Sequence, residues 1–381
     1  MQLVRKSGST ARRRRILFGI GISIAVVGAL ALTSGGSSSP VTTDQTPVKN
    51  AAAARALVAK AKAPKPRWIG PTSSPKAVTD KVVGIIPCAM FVEGCARQAR
   101  GAVEAAKVIG WKSILIDGKV SGQVQLQAFN SLIARKVDAI ILNSVNASSV
   151  GEGMARAKRA GIPVMTSFAQ DPDRFGGLDN IEIVDEASGE VAAAYMALNG
   201  GGNVMVFDDN SAEEVIQRTV GLRRGFAKYG GAKELLHQNI SGAKVGPPEE
   251  PLATALLQRY PEGRVQWVYC GYDFMCSPFV RVLQRRGRTE VKVISYDGNL
   301  ENLAFIRKGQ NQIASIGYPL EWAGWATIDN LNRHFNKQKL WPGTKYIEFR
   351  LLDKTNLPNA GKSWQGDVDF RARFKKLWGV K

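Results

Sequence analysis

From Lys81 onward, short apolar runs of strand length alternate with amphipathic helical stretches, and this alternation limits the chain to few architectures. "KVVGII" is followed by "CARQARGAVEAAKVIG", where Ala96, Ala99, Val103, Ala106 and Val108/Ile109 recur at helical spacing before Gly110 stops the helix. Strands "KSILID", "DAIILN" and "IPVMTS" then alternate with helices "GQVQLQAFNSLIARK" and "SSVGEGMARAKRAG". "SGEVAAAYMAL" restarts the pattern, which continues through "GNVMVFD", "VQWVYC" and "VKVISYD". Continuous apolar strands separated by such helices predict right-handed βαβ units, with a parallel sheet covered on both faces. At 381 residues the chain is long enough for two such lobes, and ligands of open parallel sheets sit beyond the carboxyl ends of the strands.

The formal charge of +20 suggests nucleic acid until it is located: 13 of the 52 Lys+Arg stand in residues 1–76, beside a single Asp. There, Arg12 to Arg15 precede an apolar stretch from Ile16 to Leu32, and Ala29-Leu30-Ala31 offers a small-x-small cleavage site. This is the pattern of an export signal, its positive charge held at the cytoplasmic face. The 17-residue apolar stretch also allows an uncleaved anchor, so residues 1–32 are assigned to a signal or anchor. Residues 33–79 read as a flexible linker, Gly/Ser- and Pro-rich with few large apolar residues; the Ala/Lys part, Asn50 to Ala63, has helical composition. The protein is expected to be exported, periplasmic or at the cell surface, without a nucleic-acid partner.

Export bears on the four cysteines, which in an oxidising compartment form two disulfides sooner than a metal site. Neither pair has zinc-type spacing and the chain has two His, so no metal is expected. Three connectivities are open, and the sequence-local one, Cys88 with Cys95 and Cys270 with Cys276, closes the smallest loops. No G-x-S-x-G, H-E-x-x-H or Walker pattern occurs, and the glycines of "NGGGNVMVF" precede a strand where a phosphate loop would follow one. His237 and His334 read as surface or packing residues. Neither an enzyme nor a cofactor is expected.

"KVVGIIPCAMFVEGCARQARGAVEAAKVIGW", "VDAIILNSVNASSV", "AKRAGIPVMT", "VISYDGNLENLAFIRKGQNQIASIGYPLEWAGWATIDNL" and "FRLLDKTNLP" together resemble, in order, the ribose-binding-protein group of solute-binding proteins of ABC importers. The lactose-repressor class shares that fold but begins with a helix-turn-helix where this chain carries an export signal. The resemblance implies an α/β, type I periplasmic-binding-protein fold: two Rossmann-like lobes with parallel sheets, joined by three hinge crossings and closing over one small ligand. The crossings fall near Val184–Glu186, near Ser315–Pro319 and in "FRLLDKTN". Lobe one then takes residues 80–184 and 319–340, lobe two 185–318, and residues 341–381 the third crossing and a C-terminal tail. The partners implied are a small-molecule ligand and an ABC permease, with the protein a monomer; a sensing module for a membrane kinase or chemoreceptor is the alternative.

The family's ligand positions carry over one at a time. Phe91 is the nearest match in the loop after the first strand, and Asn143 is kept after the third. Phe168 and Ala169 stand where the family has an Asp-Arg pair, Tyr272-Asp273 replaces "ND", Asp297 is kept from "FDG", Tyr318 replaces a hinge Gln, and Arg218 is the nearest counterpart of a helix Arg. Phe91, Phe168, Tyr272 and Tyr318 as ligand contacts imply a modified sugar or a ring-bearing, more apolar ligand; the competing reading for each is core packing. Asp297 is an acceptor for the ligand or a cap for the next helix. A bond between Cys88 and Cys270 would pin the two lobes and block hinge motion, which again points to the local cysteine pairs.

Overall fold

Strand β1 (Val82–Pro87) is buried along almost its whole length, and a run apolar on both faces belongs at the centre of a covered sheet. In the computed structural model β1 lies between β2 (Lys112–Leu115) and β3 (Ala139–Asn143), followed by β4 (Val164–Ser167) and β5 (Asn180–Ile181), all parallel, in the order β2-β1-β3-β4-β5. The register sets Val83 beside Ala139 and Pro87 beside Asn143, so the strands end together. The structure describes residues 46–169, 173–182, 185–246, 249–341 and 348–380. The export signal and Val184 of the first expected crossing lie outside them.

The second sheet runs β11-β10-β9-β8-β6-β7, from β6 (Gly202–Asp208), β7 (Ala232–Asn239), β8 (Trp267–Cys270), β9 (Lys292–Asp297), β10 (Gln312–Gly317) and β11 (Arg350–Asp353). Every pair is parallel except β10 with β11. Helices α5 (Asp185–Leu198) and α6 (Glu213–Tyr229) pack together on this lobe, with α8 (Asp273–Arg285) and α9 (Leu300–Arg307) between its later strands. In the first lobe, α2 (Glu93–Val108) follows β1, and α10 (Leu320–Phe335) returns to lie against it. That contact is close because both helices are glycine at the crossing: a Cβ on Gly101 would strike the Glu321 backbone, and one on Gly324 the backbone of Gln98 to Ala102. The fold is the expected α/β pair of lobes with mainly parallel sheets.

The linker expected over residues 33–79 is corrected from residue 46 onward. Helix α1 (Ala51–Lys62) lays its fully buried Ala54 against Ala194, Ala197 and Tyr229 of the second lobe. The chain then passes Asp353 of β11, ion-paired to Lys62 at 2.7 Å, and reaches the first lobe, where Trp68 stands edge-on to Trp322 at 6.2 Å. Asn332 of α10 donates to Pro75 O at 3.0 Å and accepts from Val78 N at 3.0 Å. The sequence reading failed here because an alanine-rich segment cannot build a core yet can complete one, its small side chains letting the backbones come close.

Within residues 349–356, expected as a crossing, Arg350–Asp353 form the antiparallel edge strand β11. The C-terminal tail is not featureless: it carries α11 (Phe370–Trp378), whose Trp378 stacks on Trp325 of α10 at 5.3 Å. No helix among the described residues is long and apolar enough to cross a bilayer.

Candidate functional site: a cavity between the lobes

The carboxyl ends of β1, β3 and β4 face those of β6, β8 and β9 across a cavity of about 180 Å³. The lobes also touch at its rim. Asn146 donates to Ser211 O at 2.6 Å, Leu300 N donates to Glu93 Oε1 at 3.0 Å, and the rings of Phe91 and Phe274 lie 6.0 Å apart. Four residues of the lining, Val120, Ser144, Phe168 and Asp297, have positive φ without being glycine, at 50°, 49°, 53° and 103°. Such backbone costs of order 1–3 kcal/mol each and collects where a ligand is clamped.

Four of the eight residues expected at the ligand line this cavity: Phe168, Arg218, Tyr272 and Asp297. Arg218 projects from α6 and is buried; its Nε donates to Asp185 Oδ1 at 2.9 Å and its Nη1 to Gly271 O at 2.7 Å. Its guanidinium lies 4.9 Å from the ring centres of both Tyr296 and Tyr318. Asp297 does not cap α9. Its carboxylate points between the lobes, with Oδ1 3.9 Å from Arg218 Nη1 and Oδ2 close to Gly94 in the first turn of α2. Burial pushes its pKa up to about 6 against the downward pull of Arg218 and Arg97. Tyr272 donates to Asp209 Oδ2 at 3.5 Å.

The other four lie outside the lining, which corrects their expected role as direct contacts. Phe91 is half exposed at the outer lip. Asn143 stands behind the wall, donating to Ser167 Oγ at 2.8 Å; Ser167 donates to Gln98 Oε1 at 2.9 Å, and Gln98 to Ser144 Oγ at 2.9 Å. Asp273 is fully buried at the start of α8 and holds the next turn, accepting from Asn299 N at 2.8 Å and Ser315 Oγ at 2.9 Å. Tyr318 backs Arg218 and donates to Ser188 Oγ at 2.8 Å. Ala169, buried, is tied to Asn180. A helical or strand-end position in sequence gives depth along an element but not which neighbour intervenes.

The cysteines pair locally, Cys88 with Cys95 and Cys270 with Cys276. The first pair forms part of the cavity wall, whereas the second lies in the second lobe's core with Tyr272 on the loop it closes.

Gln98, Ser144, Asp209, Ser211 and Glu214 are lining residues that sequence reasoning missed. The signal for the last three was "FDDNSAEE", acidic residues bridging the end of β6 and the start of α6, the same kind of position that singled out Asp297. Burial raises the pKa of Glu214 to about 8 and that of Asp185, despite Arg218, to about 7. The lining sets two aromatic rings and several aliphatic side chains beside hydrogen-bond donors and acceptors from both lobes, so the cavity offers apolar walls as well as polar anchors to a small ligand.

A two-lobed α/β protein whose cleft encloses a small cavity and offers side chains from both lobes is a ligand-capturing protein in architecture. The periplasmic binding protein domain family matches residues 84–339, and the chain belongs to it. The xylitol-binding protein of Mycolicibacterium smegmatis is 29% identical over 204 residues, 51% of this chain and 56% of that protein. The ribose import binding protein of Bacillus subtilis is 24% identical, over 64% of this chain and 77% of its own length. An ABC transporter solute-binding protein from Burkholderia graminis, solved in complex with D-arabinose, superposes with a TM-score of 0.66 at 24% identity, covering 75% of this chain and all of that one. The alignment with the xylitol-binding protein thus spans little more than half of that relative.

Proposed function

We propose that the protein captures a small polyhydroxylated solute, a sugar or polyol, outside the cytoplasmic membrane and delivers it to an ABC importer without transforming it. The observation that carries this reading is the interlobe cavity, where polar groups of both lobes converge on a volume suited to a ligand of sugar size. Phe168 and Tyr272 supply ring faces; Gln98, Ser144, Arg218 and Asp297 supply hydrogen bonds. The xylitol- and ribose-binding relatives support the ligand class, and the export signal supports the location. The permease is the partner, the protein acting as a monomer; whether its N-terminal segment stays as a tether is read by N-terminal sequencing of exported protein.

Thermal denaturation of the purified protein with a panel of pentoses, hexoses and polyols tests capture. At least one should raise Tm by several degrees with one-to-one stoichiometry in calorimetry. Consumption of a bound sugar without a transporter, or no shift with any compound, rejects the reading.

A further inference from the structure

Carboxyl groups outnumber cations around the cavity. Among the described residues Arg218 is the one cation in the lining, and it already serves Asp185 and stands 3.9 Å from Asp297. Asp209, Glu214 and Asp297 are lining carboxylates. Asp209 is held by Ser211 and Tyr272, and burial pushes the nearby Glu249 carboxyl up to about 8. Glu214 enters no ion pair among the described residues, and the 94%-buried Asp297 (6% exposed) stands at 3.9 Å from its nearest cationic nitrogen. The first lobe does not make up the deficit. Its Arg97 binds Glu321 through two contacts of 2.9 Å and reaches Asp297 at the backbone O rather than at the carboxylate, and Glu93, also close to Asp297, adds to the negative side.

Neutral hydroxyls do not compensate such a surplus, because a hydroxyl offers one donor and no charge. A metal ion is a poor fit, since no group of three or more His, Cys, Asp or Glu among the described residues is placed to hold one. An ammonium group fits: it brings a positive charge and several donors, and Asp297 and Glu214 approach the cavity from different elements of the same lobe, β9 and α6. Resting on the sugar or polyol reading above, we propose that the ligand is an amino-substituted one, a sugar or polyol carrying a protonated amine that Asp297 and Glu214 receive while Arg218, Gln98 and Ser144 bind hydroxyls. Burial raises the pKa values of Asp185, Glu214 and Asp297, and a cation held beside these carboxyl groups would favour their ionised forms.

Calorimetry on the full protein with matched pairs tests this: D-glucosamine against D-glucose, D-galactosamine against D-galactose, and glucamine against sorbitol. The amine of at least one pair should bind about tenfold or more tighter than its neutral partner, the range of a charge-assisted hydrogen bond. At pH 6.5 its binding should release protons, read as a dependence of the apparent enthalpy on buffer ionisation. Glu214→Gln and Asp297→Asn should each erase most of that preference, and a correctly folded Gln98→Ala control should weaken both members of a pair alike. Neutral members binding as tightly as the amines overturns the amine assignment and leaves sugar capture standing. Failure of every compound, neutral or cationic, overturns both.

Discussion

Arg97 of α2 grips Glu321 of α10 through two 2.9 Å contacts, and the same guanidinium donates to Asp297 O at 3.0 Å and Asn299 Oδ1 at 2.9 Å across the cleft. A further hydrogen bond goes to Trp364 O at 2.6 Å. Arg97 therefore couples the helix pair of the first lobe to the β9–α9 turn of the second.

Removing one member of this buried pair leaves the other charged and unpaired. Arg97→Ala should destabilise the protein by about 3–5 kcal/mol in urea denaturation. Glu321→Gln keeps the shape and should cost less. An Arg97→Ala protein with an unchanged midpoint would show that the pair contributes little to the folded state.

Asp297 and Tyr318 should separate in their effects. Asp297→Ala removes an acceptor from the cavity and should weaken ligand binding by about 1.5–3 kcal/mol. Tyr318→Phe removes only the hydroxyl bonded to Ser188, behind Arg218, and should change stability more than affinity. Calorimetry and denaturation on both variants distinguish the two.

The two disulfides should also differ. Cys88–Cys95 belongs to the cavity wall and closes a loop with a sequence separation of 7, so Cys88→Ser/Cys95→Ser should lower stability by roughly 2–3 kcal/mol and loosen binding as well. Cys270–Cys276 sits in the second lobe's core, and its loss should be read chiefly as lowered Tm. Peptide mapping of non-reduced protein that returned Cys88 linked to Cys270 would contradict both expectations.

Carboxylates with raised folded-state pKa values make the unliganded protein less stable as pH rises. Asp185, Glu214 and Asp297 titrate near 7, 8 and 6 when folded, against 3.8, 4.5 and 3.8 when unperturbed. Between those limits the folded state binds more protons than the unfolded one, so this contribution to stability is full below about pH 4 and declines as pH rises to about 8. Glu214→Gln should therefore raise the Tm of unliganded protein at pH 8.5 and leave it nearly unchanged at pH 4. An equal shift at both pH values would exclude the linkage.

Helix α1 should contribute to stability as a packed element. Ala54 is fully buried against Ala194, Ala197 and Tyr229, leaving no room for a larger side chain. Ala54→Leu should cost about 1–3 kcal/mol by overpacking. A Tm equal to that of the unaltered protein would mean that α1 is not docked in solution.

The alternation of apolar runs and amphipathic helices determined the two mainly parallel sheets by itself, because a strand apolar on both faces needs cover on both. Loop size made the cysteine pairing legible for a similar reason: closing seven residues requires little of the rest of the chain. Sequence also put Phe168, Arg218, Tyr272 and Asp297 at positions that the tertiary structure gathers around one cavity. It did not reveal that Asn143 is linked to that cavity through Ser167 and Gln98, or that Tyr318 stands behind Arg218. Nor did it disclose the docking of α1, whose alanines carry little hydrophobic signal. These outcomes depend on which side chain from a distant element fills the intervening space. Periodicity records whether a residue faces inward; the neighbour it meets there is fixed only when the lobes and their terminal helices pack together.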